Sequence, residues 1–355
     1  MYTLKIQKIL NQIDRVDNNN EKVRLLVQAI QLADDNQDIE WAYDMRLELI
    51  NYEIDLAFSP ESLPAFAWIL QAHDENPNLF NEEDFLWQYK WMMSELYDNP
   101  DVSREQIESA LQDFQMRLLR NGYGKRAIYN ERLSDALVQK DNDLIQAALE
   151  AVNSLERDDM SDCEACEMDA EVSAVLLREG YKAAYEKARP LLEKQFTCAH
   201  VPLRTTVNLT YAALRADAGE QAAELAAQAE MEIYKKEKDS SILLSAIKLA
   251  AYYAKTDLSK AKEWFERFIP WADGPADRSM FQIACLLVES MEAFDPQESF
   301  TLDLSETHSL YRGQNSFTAT EIAVHYRELA HSLAARFDER NGNNNFQKQL
   351  SMAAI

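Results

Sequence analysis

The sequence predicts an all-α fold, an α-α superhelix in which antiparallel helix pairs stack as a solenoid. Three observations carry this. Only 7 glycines and 9 prolines occur in 355 residues, too few for a fold rich in tight turns. Ala, Leu, Glu, Gln, Lys and Arg dominate, residues that lose little entropy in a helix, and strand-like alternation of β-branched residues is missing. A helix-opening pattern also recurs about every 39 residues.

Taken in order, Asn20, Ser59 and Ser103 each precede a helical run, at intervals near 40. Asp141-Asn-Asp-Leu-Ile opens the next unit. Gly180-Tyr-Lys-Ala-Ala and Gly219-Glu-Gln-Ala-Ala follow, 39 residues apart, and Leu258-Ser-Lys-Ala-Lys continues the series. The equivalent positions Leu144, Ala183, Ala222 and Ala261 are all apolar. A second helix falls between these starts, over 170–177, 204–214 and 242–253. A single pair cannot bury both its faces, so neighbours must stack. Recurring alanines let helices approach closely while Leu, Phe and Tyr fill the space between pairs. After Met291 the register fails, and 294–315 has no helical stripe. A last helix is expected from about 318 to 337, stopped by Asn341-Gly342-Asn343. The predicted organisation is a solenoid over 1–295 and a C-terminal helical cap with a flexible tail over 296–355, with a small docking module as the alternative for the cap.

Ala222, Ala226 and Ala229, and Ala261, Phe265 and Phe268, follow a spacing of four and then three. On these residues the chain resembles the tetratricopeptide-repeat family, whose second helix opens with Ala at that spacing. The first-helix Trp and Leu-Gly signature does not appear cleanly, and the repeat is longer than is usual in the family. The resemblance implies a superhelix whose inner groove binds a peptide or protein, and it implies no chemistry. Asp162-Cys-Glu-Ala-Cys166 and Cys198-Ala-His-Val-Pro202 are also similar to segments of bacterial repeat proteins.

The 36 Lys and Arg stand against 61 Asp and Glu, a formal charge of −25. Nucleic-acid binders neutralise phosphates with basic residues, so this balance argues against DNA, RNA and anionic membrane as partners. The start, MYTLKIQKILNQIDR, has no long apolar segment and no small-residue cleavage site, and nothing reads as a membrane span. Four cysteines are too few for a disulfide framework. A cytoplasmic location is expected.

Two of those cysteines stand three residues apart among acids, in DCEACE (162–167). Cys198 and His200 open the next repeat just as Cys163 and Cys166 open theirs. Loops at equivalent positions of adjacent repeats are neighbours in a solenoid, about 10 Å apart. Cys163, Cys166, Cys198 and His200 are therefore the candidate ligands of one structural zinc ion. Asp162, Glu164, Glu167 and Asp169 disfavour thiolates without a cation and suit them with one. Ordinary packing or capping is the competing account. A redox pair is the third, although its C-x-x-C belongs beside a βαβ unit. Cys285, within Met280-Phe-Gln-Ile-Ala-Cys-Leu-Leu, reads as core.

Other constellations are weaker. Glu328 and His331, with Glu321 and His325 upstream, match half of a di-iron site and lack the second helix pair it needs. Asn121-Gly-Tyr-Gly lacks phosphate-loop spacing and reads as a turn. His73 has no nucleophile near it in sequence. Trp68, Phe85, Trp87, Tyr89, Trp91 and Met92 read as core or as an aromatic groove. The expected function is non-catalytic binding of a protein or peptide with a basic surface, as scaffold, adaptor or inhibitor. A sensor whose superhelix changes shape on binding a peptide or ligand is the alternative, and a metal-dependent enzyme the third.

Overall fold

The computed structural model describes residues 2–54, 56, 58–236, 239–274 and 277–351. Helices occupy most of them. The N-terminal part comprises α1 (Tyr2–Ile13), α2 (Asn19–Asp35), α3 (Ile39–Glu53), α4 (Ser62–Glu75), α5 (Leu86–Asp98) and α6 (Arg104–Arg120). Then come α7 (Arg126–Gln139), α8 (Asn142–Asn153), α9 (Glu164–Glu179), α10 (Tyr181–Leu192), α11 (Leu203–Arg215) and α12 (Gly219–Lys235). The chain continues through α13 (Leu243–Thr256), α14 (Leu258–Phe268), α15 (Asp277–Met291), α16 (Ala319–Asn341) and α17 (Asn345–Ser351).

Side-chain caps start many of these helices by accepting from otherwise unpaired N–H groups. Asn18, Asp38, Asp141 and Asp257 do so for α2, α3, α8 and α14. Ser103 with Gln106, and Thr318 with Glu321, form capping boxes at α6 and α16. Gly342, at φ 64°, ends α16 in the left-handed conformation that glycine adopts without strain.

Successive helices pair as antiparallel neighbours: α7 with α8, α9 with α10, α11 with α12, α13 with α14 and α15 with α16. This is the all-helical repeat fold that the recurrence predicts. One register needs correction. Leu144 is exposed and Ala183 only half-buried, whereas Ile145 and Ala184 are fully buried alongside Ala222 and Ala261. The inward position thus lies one residue later in α8 and α10 than strict 39-residue stepping gives. Within 294–315, where no helical stripe was found, the chain begins a short antiparallel hairpin, β1 (Ser299–Thr301) with β2 (Ser316–Thr318). Phe300 and Phe317 face each other across it and are buried. Three-residue strands are too short to show alternation in a sequence.

The first helices of the pairs form a continuous inner layer: α5 touches α7, then α9, α11, α13 and α15 follow in turn. Because α15 also touches α5, this layer closes on itself. Two large apolar cores lie on either side of the closure. One joins residues from Ile6 to Ile128 and Met160; the other runs from Ala165 to Phe346. A small cluster of Leu133, Ala136, Ile145, Ala148 and Ala174 lies between them. No helix among the described residues is long and apolar enough to cross a membrane.

Candidate metal centre and inner face

Cys163, Cys166 and Cys198 come together, with their sulfurs within 4.8 Å of one another. Cys163 is the N-cap of α9, and its Sγ accepts from the backbone N–H of Cys166 at 3.4 Å. Cys198 sits in the turn before α11, closed by a bond from its own N–H to the Val201 carbonyl at 2.9 Å. The C-x-x-C is thus held by a helix start and the third cysteine by the equivalent loop of the next repeat. No disulfide links them, and Cys163 and Cys198 are exposed while Cys166 is half-buried.

The three sulfurs do not share charge equally. Burial pushes the Cys166 thiol up, with Arg204 pulling the other way. Burial also acts against ionising Cys198, but donation from Cys163, from the Ala199 and His200 backbone and from Cys166 outweighs it and holds that thiol below its usual value. Three soft donors in one small volume, with N–H groups aimed at them, can hold a metal ion.

His200 does not join the sulfurs as expected. Its backbone N–H supports Cys198 and its carbonyl accepts from Arg204 N–H at 2.9 Å, while the imidazole lies outside the group. The acids of DCEACE are also placed differently from the sequence picture, because most are held by partners. Lys90, almost fully buried on α5, binds Asp162 at 2.6 Å and the Met160 carbonyl at 2.9 Å. Glu167 receives Arg126 at 2.9 Å, Asn130 at 3.0 Å and Arg157. Asp169 receives Arg204 at 2.6 Å and the Thr205 hydroxyl. Long-range cations, the farthest being Lys90 at 72 residues from Asp162, disarm the local repulsion. The sequence offered no signal for these pairings beyond the arginines themselves.

The inner layer carries a second polar constellation that sequence reasoning missed. Lys248 on α13 donates to Asn208 Oδ1 on α11 at 2.8 Å, from positions 40 residues apart. Burial, then Lys140 and Arg204, pulls the Lys248 ammonium down to about 8. On the acidic side, burial with Asp98 and Glu53 pushes Glu95 up to about 8, and burial with Asp162 does the same for Glu131. Tyr211 and Lys255 meet at Glu289, at 2.8 and 3.1 Å.

The remaining candidates resolve simply. Cys285 is half-buried against the larger core. His73 is buried edge-on to Phe85 and lies 3.2 Å from Asp74. Glu321 caps its own helix, and His325 Nε2 lies 3.0 Å from Ser309 Oγ. Phe85 and Tyr89 are core, whereas Trp87 is exposed and Trp68 stacks 4.0 Å from Arg46. An open cleft between α2, residues 56 and 58–61, and residues 270–273 is lined by Val27, Leu56, Phe58 and Trp271, with no histidine among its described lining residues.

Set against family models, curated proteins and solved structures, the chain gives no significant match.

Proposed function

We propose that this chain is a non-catalytic helical-repeat protein that binds a protein or peptide partner on its inner face. On this reading one zinc ion at Cys163, Cys166 and Cys198 clasps two neighbouring repeats. The observation that carries the binding reading is the row Arg204, Asn208 and Lys248. Asn208 and Lys248 stand at matching positions of adjacent inner helices, and the Lys248 ammonium bonds an amide oxygen rather than a carboxylate. Amide and cationic side chains at repeat spacing suit the carbonyls and carboxylates of an extended chain. The overall charge of −25 speeds the encounter with a basic partner. Zinc is the ion most at home among cysteine thiolates that tie loops together.

The sensor reading has one observation in its favour. The inner layer closes where α15 meets α5, so a ligand that prefers one closure state would shift the whole layer.

Affinity capture with the wild-type chain and with Lys248→Glu tests the proposal. A partner should elute from the wild type and be depleted at least tenfold with the variant, with helicity by circular dichroism unchanged. A small molecule that co-purifies while no protein enriches would end the scaffold reading.

A further inference from the structure

The thiol group raises a question of coordination number. Zinc in a closed structural site takes four protein donors, and a site with three keeps a position open for exchange. This chain brings three sulfurs together and no fourth donor joins them among the described residues. Asp162, Glu167 and Asp169 are each bound to a cation elsewhere, and the His200 imidazole lies outside the group. Cys163 and Cys198 are exposed, so the trio opens toward solvent.

We propose that the three thiolates hold a metal whose fourth position is filled from outside the chain, by water at rest and by a thiol or imidazole of a bound partner. The inference rests on the metal reading given above. In the exchange the water leaves, the incoming thiol passes its proton to solvent, and its sulfur binds as thiolate with no change of oxidation state. Three thiolates on a divalent ion carry one net negative charge, and a fourth adds another. Arg204, whose guanidinium stands in the field of Cys166, offsets part of it. An imidazole adds no charge and meets no such barrier.

Cobalt(II) is the probe, loaded into the full-length protein. One equivalent should bind the wild type and none the Cys163→Ser, Cys198→Ser variant; failure at this stage would remove the metal reading itself. With cobalt bound, adding 2-mercaptoethanol should raise the sulfur-to-metal charge-transfer absorption by roughly one third, as three thiolates become four. Imidazole should shift the ligand-field bands without that rise. His200→Ala should leave the resting spectrum unchanged. A spectrum indifferent to both additives, or one altered by His200→Ala, would overturn the proposal in favour of a closed site.

Discussion

Glu131 shows how a single buried carboxyl ties this fold to pH. It is 6% exposed and accepts from Ser94 Oγ at 3.3 Å. Burial, then the charge of Asp162, pushes its carboxyl up to about 8, against the pull of Lys90 and Ser94. The folded chain therefore keeps a proton that the unfolded chain loses near pH 4, so this group's contribution falls as pH rises from there to 8. Glu131→Gln removes the loss and keeps an oxygen for Ser94. The variant should be more stable than wild type by about 1–2 kcal/mol at pH 8 and equal to it at pH 4, read from urea melts. The thiols differ in the same physical way. Burial raises Cys285 to about 12, whereas donated hydrogen bonds lower Cys198. In metal-free protein at pH 7.5, mass-mapped iodoacetamide labelling should reach Cys198 at least tenfold faster than Cys285, because the thiolate is the nucleophile. Equal rates would show that the exposed cluster does not activate its thiols.

Between helices, Arg126 is the side chain that ties α7 and the end of α8 to the start of α9, beside Cys163 and Cys166. From α7 it donates to the Val152 carbonyl at the end of α8 at 2.8 Å and reaches Glu167 in the first turn of α9 at 2.9 Å. Both Arg126 and Glu167 are about nine-tenths buried at their side chains, so truncation leaves the buried Glu167 carboxylate to Asn130 and the more exposed Arg157. Arg126→Ala should cost about 3 kcal/mol in chemical denaturation and weaken metal retention against a chelator. Loss of stability with full metal retention would mean that the turn of Cys163 is set by its helix cap alone. This pair also marks the limit of what the sequence disclosed. Apolar periodicity and caps made the helices legible, and the 39-residue recurrence placed Cys163, Cys166 and Cys198 at equivalent loops. The partners of the intervening acids were not legible. Lys90, Arg126 and Arg204 reach them through tertiary geometry, and helical periodicity carries no information about the curvature that brings α5, α7 and α11 to one place. His200, expected as the fourth ligand, is not among the donors gathered within 4.8 Å of one another, and its backbone N–H supports Cys198. The inner-face residues were missed for lack of contrast, since Glu131 and Lys248 look like any charged residue in an amphipathic helix.

At the scale of the molecule, the closure of the inner layer is held by polar contacts while the two large cores stay separate. Asp98 at the end of α5 pairs with Arg278 at the start of α15, both largely buried. Arg340 on α16 donates to the Tyr97 and Asn99 carbonyls at 2.8 and 3.1 Å, and Arg336 reaches Asp101 at 2.9 Å. Farther along, Asn343 meets Gln139 at 3.0 Å and Gln349 meets the Val138 carbonyl at 3.0 Å. A joint of this kind is specific yet costs little to separate in water, because each group regains hydration on opening. Asp98→Arg places like charges at the seam and should open the layer without unfolding the helices. The expected signs are a larger radius of gyration by X-ray scattering and faster amide exchange at the end of α5 and start of α15. Circular dichroism should not change. The swap Asp98→Arg with Arg278→Asp should restore the wild-type radius. Raising salt from 0.1 to 1 M, which shortens the screening length from about 10 to about 3 Å, should loosen the exposed Arg336 contacts before the buried pair. If the single variant unfolds outright, or the swap fails to recover closure, the seam belongs to the core and the inner face is reached only from its ends. If it opens and recovers, closure and partner binding draw on one equilibrium, and the opened variant should bind an inner-face partner with a faster on-rate.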